Sequence, residues 1–232
     1  MSHIANKRPF SNTAKGPGVK GSKMWIQKVI ENPILQNALN DLIGEPLKWL
    51  SPLAGPLKTY DEYQLKETYV CEHLGVQASD VDKLYSFWPK AQPQWDGLAL
   101  DETGTVLYIV EAKAHLKELE SQCKATSPAS RSLILDSMKK VQLQYYPHGC
   151  FKAWVDAFYQ LGNRLTFLRK LNEKPFGNIK KVKLVLLNFA NDYTHHSTTE
   201  EAWAEHYKTV WSIMTGLPNA PEDVIVVNYD VS

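Results

Sequence analysis

The sequence predicts an α/β protein in which a β-meander comes first and strands alternate with helices later. Three observations carry this expectation. A hairpin pattern spans residues 96–113, a strongly apolar run at 181–190 reads as a buried strand, and segments with apolar residues at helical spacing lie on either side. An added helical segment is expected near the N-terminus.

Residues 1–22 are rich in Gly, Ser, Asn and Lys and carry Pro9 and Pro17, so they read as a flexible basic tail, leaving 23–232 as a single domain. From Met24 to about Ile43, Trp25, Val29, Ile30, Ile34, Leu35, Ala38 and Leu42 recur at helical spacing, with Pro33 marking a kink or a boundary between two helices. Residues 44–56 hold three prolines and two glycines and read as a loop with a helical turn at 47–49. A helix is expected from Tyr60 to Leu74, closed by Gly75, and a short strand from Leu84 to Trp88. The hairpin then has one arm at 96–101, a turn at Glu102-Thr103-Gly104, and a second arm at 105–113 dense in β-branched and aromatic residues. A helical turn within 114–128, a helix from about Ser130 to Tyr146 and a long helix from Phe151 to about Leu171 follow, the last containing Gly162. The strand at 181–190 comes next, then a helix over 198–215 N-capped by Thr198 or Thr199 with acids in its first turn, and a last strand at 224–229.

Composition excludes several classes. Hydrophobic residues make up 44% of the 232, enough for a sizeable core. No apolar run approaches the ~20 residues that span a bilayer, and the N-terminus lacks the apolar core of a signal peptide, so a cytoplasmic location and no membrane partner are expected. Cys71, Cys123 and Cys150 are too few and too scattered for a disulfide framework or a zinc knuckle and read as reduced thiols. The net charge is only +1, but Lys7, Arg8, Lys15, Lys20, Lys23 and Lys28 all precede the first acid, Glu31. The other 20 cations face all 25 acids, leaving the rest at −5. A basic arm on a mildly acidic body can help to hold a polyanion.

The hairpin carries the chemistry. If Thr103-Gly104 is a two-residue turn, paired residue numbers sum to 207, and Asp96 lies opposite Glu111, Leu98 opposite Ile109, and Leu100 opposite Leu107. Alternation adds Lys113 to the face of Glu111. A three-residue turn with Gly104 as a bulge shifts the register by one, and Asp96 then needs a kink to join the others. In the first register, one face has apolar residues at the turn end and Asp, Glu and Lys at the open end. Such charges amid apolar neighbours need pairing or a metal. A hard divalent cation is held by one or two carboxylates together with water and substrate phosphate. It can activate water against a phosphodiester, and a nearby lysine can orient that water and offset charge developing on phosphorus.

Asp96, Glu111 and Lys113 on such a hairpin resemble the signature of the PD-(D/E)xK nuclease superfamily, the restriction-endonuclease-like fold; Trp95 stands where the family's name has proline. The resemblance implies a central mixed sheet flanked by helices and a metal-dependent nuclease acting on DNA more than RNA. Asp96 and Glu111 would hold Mg²⁺ (or Mn²⁺), the Ala112 carbonyl would add a ligand, and Lys113 would be the catalytic lysine. Members often add an acid from the helix before the meander, and Glu67 falls within the stripe of Tyr60, Tyr63, Val70, Cys71 and Leu74. A following helix often brings a polar residue to the phosphate. Gln160, Asn163 and Arg164 are the nucleic-acid-binding candidates, with Gln142 and Tyr146 as an alternative pair. His115 could assist as a base, whereas His195, His196 and His206 lack the partners of a zinc site. A non-catalytic nucleic-acid-binding domain that keeps the fold is the alternative function. The near-neutral charge fits a localised groove or specificity delegated to a partner subunit, and a homodimer is the other assembly expected.

Overall fold

The structure is a computed structural model that describes residues 16–55 and 59–232. Residues 1–15, which hold most of the expected tail, lie outside the described residues. Helix α1 is Gly21–Glu31 and α2 is Pro33–Ile43, so Pro33 marks a boundary between two helices. Asn32 explains it: its side chain accepts the Ile34 and Leu35 N–H groups as an N-cap, while Pro33 fills the first helical position, where no donor is needed.

Five strands form one mixed sheet in sequence order: β1 (Leu47–Ser51), β2 (Gly97–Asp101), β3 (Val106–Lys113), β4 (Lys181–Ala190) and β5 (Val224–Asp230). The pairs β1–β2 and β2–β3 are antiparallel; β3–β4 and β4–β5 are parallel. The remaining helices are α3 (Thr68–Leu74), α4 (Val81–Leu84), α5 (Pro128–Tyr145), α6 (Phe151–Asp156), α7 (Tyr159–Leu171) and α8 (Glu200–Thr215).

Period-two alternation divides the core in two. Leu98, Leu100, Leu107, Ile109, Leu184 and Leu186 face a core shared with α3 and α5–α8. Ala99, Tyr108, Val110, Ala112, Val185 and Leu187 face one shared with α1 and α2. Among the described residues no helix is long and apolar enough to cross a membrane.

Four expectations are corrected. Residues 47–51 form an edge strand and no helical turn, because Trp49 packs against Gly97 and pairing with β2 overrides the local proline and glycine signals. The helix expected from Tyr60 begins at Thr68, because Tyr60 and Tyr63 bridge to Ala54 and Trp95 in extended backbone. Residues 84–88 form the end of α4 and a turn, with the Trp88 N–H donating to the Tyr85 carbonyl. The long helix from Phe151 breaks at Ala157-Phe158 while Gly162 stays helical. Ser121 causes the break: its N–H donates to the Ala157 carbonyl and its own carbonyl accepts the Tyr159 N–H.

Candidate metal centre

The β2–β3 hairpin follows the register that sums to 207: Gly97 pairs with Val110, Leu98 with Ile109, and Leu100 with Leu107. Asp101 secures it. Its carbonyl accepts the Gly104 N–H, and its carboxylate Oδ1 accepts the Thr105 and Val106 N–H groups at 2.8 and 2.7 Å. Gly104, at φ +70°, supplies the left-handed residue that the turn requires.

At the open end of this hairpin Asp96, Glu111 and Lys113 meet. Asp96 Oδ2 accepts the Ala112 N–H at 2.8 Å, so it leans across onto β3 just where the regular ladder stops. Glu111 and Lys113 are buried, at 4% and 7% exposure, and Lys113 Nζ lies 2.5 Å from Glu111 Oε1. Asp96 is the more open of the three.

Arg164, from α7, completes the cluster. Its Nε and Nη2 lie 2.7 and 2.6 Å from Glu111 Oε2. Nη2 also donates to the Gln94 carbonyl at 3.0 Å, and Nη1 to Asn163 Oδ1 at 2.8 Å. The guanidinium sits 4.4 Å from the centre of the Trp95 ring, a cation–π platform on the residue just before Asp96.

These neighbours drive the two carboxyls apart. Burial and then the charge of Glu111 push Asp96 up to about 7, with Lys113 only partly opposing. Burial would also raise Glu111, but Arg164 and Lys113 together pull it down to about 2. Burial opposes the charge of Lys113 as well, yet the carboxylates of Glu111 and Asp96 hold its ammonium above the usual lysine range. The centre is therefore two carboxylates and two cations, interlocked at the end of β3.

Asn163 joins the cluster through Arg164, and the other expected site residues make contacts of their own. Glu67 precedes α3, and its Oε1 accepts the Gln64 N–H at 2.8 Å while its own N–H returns to the Gln64 carbonyl. It caps its own turn because the helical stripe that would have aimed it inward does not extend back to Tyr60. Asn163 and Arg164 are buried, at 5% and 4% exposure, and face inward from α7; Gln160, partly exposed, is tied by its backbone N–H to Ser121 Oγ. Gln142 is spent on the loop after α5, donating to the Tyr146 and Gly149 carbonyls, and the Tyr146 hydroxyl accepts from Arg169. His115 lies 3.3 Å from Glu118 and packs against His195 and His196, with ring centres 5.4 and 5.1 Å away. Among the described residues no group of three or more His, Cys, Asp or Glu side chains has metal-holding geometry. Any ion here would rely on two carboxylates, with backbone, water or substrate oxygens for the rest.

Sequence reasoning missed Asn188 and Tyr207. Asn188 sits beside Lys113 in the β3–β4 register, fully buried; it accepts from the Tyr207 hydroxyl at 3.1 Å and donates to Asn228 at 3.0 Å. The available signal was one amide inside the apolar run from Leu184 to Ala190. Against known proteins, no family model, no curated protein and no solved structure matches this chain.

Proposed function

We propose that the protein is a metal-dependent nuclease of the restriction-endonuclease-like kind, hydrolysing phosphodiester bonds of nucleic acid, DNA in preference to RNA. The observation that carries the reading is the meeting of Asp96, Glu111 and Lys113 at one end of one sheet face. The sheet order, an antiparallel meander running on into parallel β4, is compatible with that fold.

The donor set fits Mg²⁺ or Mn²⁺. Both carboxylates are hard oxygen donors, and such ions need only one or two from the protein when water and phosphate supply the remainder. Asp96 and Glu111 would hold the ion, with the Ala112 carbonyl as a further donor. Bound there, the metal would supply Lewis acidity towards the phosphate and a water of lowered pKa. Lys113, kept charged by its carboxylate neighbours, orients the attacking water and offsets charge gathering on the phosphoryl oxygens. A cytoplasmic setting, and work as a homodimer or with a partner subunit, belong to the same proposal.

The test is incubation of plasmid, linear and single-stranded substrates with Mg²⁺ or Mn²⁺, with Asp96→Ala as control. Cutting is expected in the wild type. Lys113→Ala should lose about 100-fold or more in rate while still binding DNA, the scale seen when one charge-stabilising donor is removed. The second reading, a non-cutting nucleic-acid-binding domain, is favoured by one observation: both oxygens of Glu111 already carry cations. Binding with no cutting under either metal would select it.

A further inference from the structure

Arg164 stands where a ligand to Glu111 would stand. Glu111 Oε2 receives both Nε and Nη2 of the guanidinium, and Oε1 receives Lys113. The guanidinium is fixed from every side, by Glu111, Gln94, Asn163 and the ring of Trp95, and is 4% exposed. With every group ionised, two carboxylates and two cations cancel. A divalent ion entering this centre alone meets no surplus negative charge and finds both oxygens of Glu111 already holding cations.

We propose that Arg164 is a positioning residue that blocks Glu111 in the free protein, so that the centre takes up its divalent cation only together with an anionic phosphodiester. The inference rests on the metal-dependent reading above. The phosphate contributes the missing negative charge and offers the guanidinium a second anionic acceptor. Metal and nucleic acid therefore bind with positive coupling, and linkage requires each to tighten the other by the same factor.

The experiment is Mn²⁺ titration of the full chain by electron paramagnetic resonance, with and without a short mixed-sequence DNA duplex whose integrity is checked on a denaturing gel. The wild type is expected to bind Mn²⁺ at least about tenfold more tightly with duplex than without. Arg164→Gln is expected to bind Mn²⁺ about tenfold more tightly than the wild type when no duplex is present, and to lose most of the coupling. A variant that merely damaged the fold would bind the ion less well, so a gain separates the two cases. Equal Mn²⁺ affinity of the wild type with and without duplex overturns the inference, and this arm needs no variant to fold. So does an Arg164→Gln protein that keeps the wild-type melting temperature and gains no affinity. If the wild type cuts DNA but shows no coupling, the inference falls and the nuclease reading stands. If it binds neither Mn²⁺ nor duplex under any condition, both fall.

Discussion

Asp96 and Glu111 are the same chemical group held at opposite ends of the carboxylate range, and the difference is a matter of partners. Glu111 has two cations; Asp96 has one backbone N–H and a carboxylate for a neighbour. This has a consequence for stability. An unfolded aspartate releases its proton near 3.8, whereas Asp96 in the fold releases it near 7. Between those values the folded state holds the extra proton. The contribution of Asp96 is therefore full below 3.8, declines as pH rises through the window, and is gone above 7. Glu111 acts in the opposite sense and lower down: its contribution is full above 4.5 and lost as pH falls towards 2. Asp96→Asn should thus flatten the pH dependence and be more stable than the wild type at about pH 8, by about 1 kcal/mol or more once solvent screening is allowed for. Urea unfolding of both proteins between about pH 5 and about pH 8 checks this; parallel curves would refute it.

The hairpin is the element on which the centre depends, and its register is held by a side chain. Asp101 accepts from Thr105, Val106 and the Thr103 hydroxyl, in place of regular ladder bonds across the turn. Asp101→Ala leaves those donors without their acceptor and should cost about 2 kcal/mol, seen as a lower urea midpoint at unchanged slope. The same element shows what could be read from the chain alone. Apolar arms on either side of a Gly-containing turn offered two registers, and in the one that the structure adopts the convergence of Asp96, Glu111 and Lys113 was legible. The β1 strand was not: its signals are prolines and glycines, and it is a strand only because β2 offers it an edge and Gly97 leaves room for Trp49. The start of the helix at Glu67 was hidden for a related reason, since long-range bridges at Tyr60 and Tyr63 outcompete a helical pattern. Arg164 was singled out from its place on a polar helix face, but its pairing with Glu111 depends on how α7 crosses the sheet, and no local pattern encodes that.

At the scale of the whole molecule, β3 is sandwiched. Its odd-numbered residues face the candidate centre and the larger helical layer, and its even-numbered residues Tyr108, Val110 and Ala112 face α1 and α2. Trp25 of α1 joins the smaller layer to the loop after β4: it packs against Phe189 and Tyr193, and its indole N–H donates to Asp192 at 2.9 Å. Trp25→Ala should cost about 3–5 kcal/mol, lowering the melting temperature while leaving the β2–β3 register intact. Two segments leave the sheet at the end that bears Glu111 and Lys113: residues 114–127 after β3 and 191–199 after β4. Glu111 and Lys113 sit on β3 and Arg164 on packed α7, whereas these connections are tied down by Ser121 against Ala157 and Tyr159 and by Asp192 against Trp25. On the proposed nuclease reading, the reacting groups and the rim that would meet a substrate belong to separate parts of the chain. New connections could be grafted at that rim to retarget the protein while its ionic core stayed as it is.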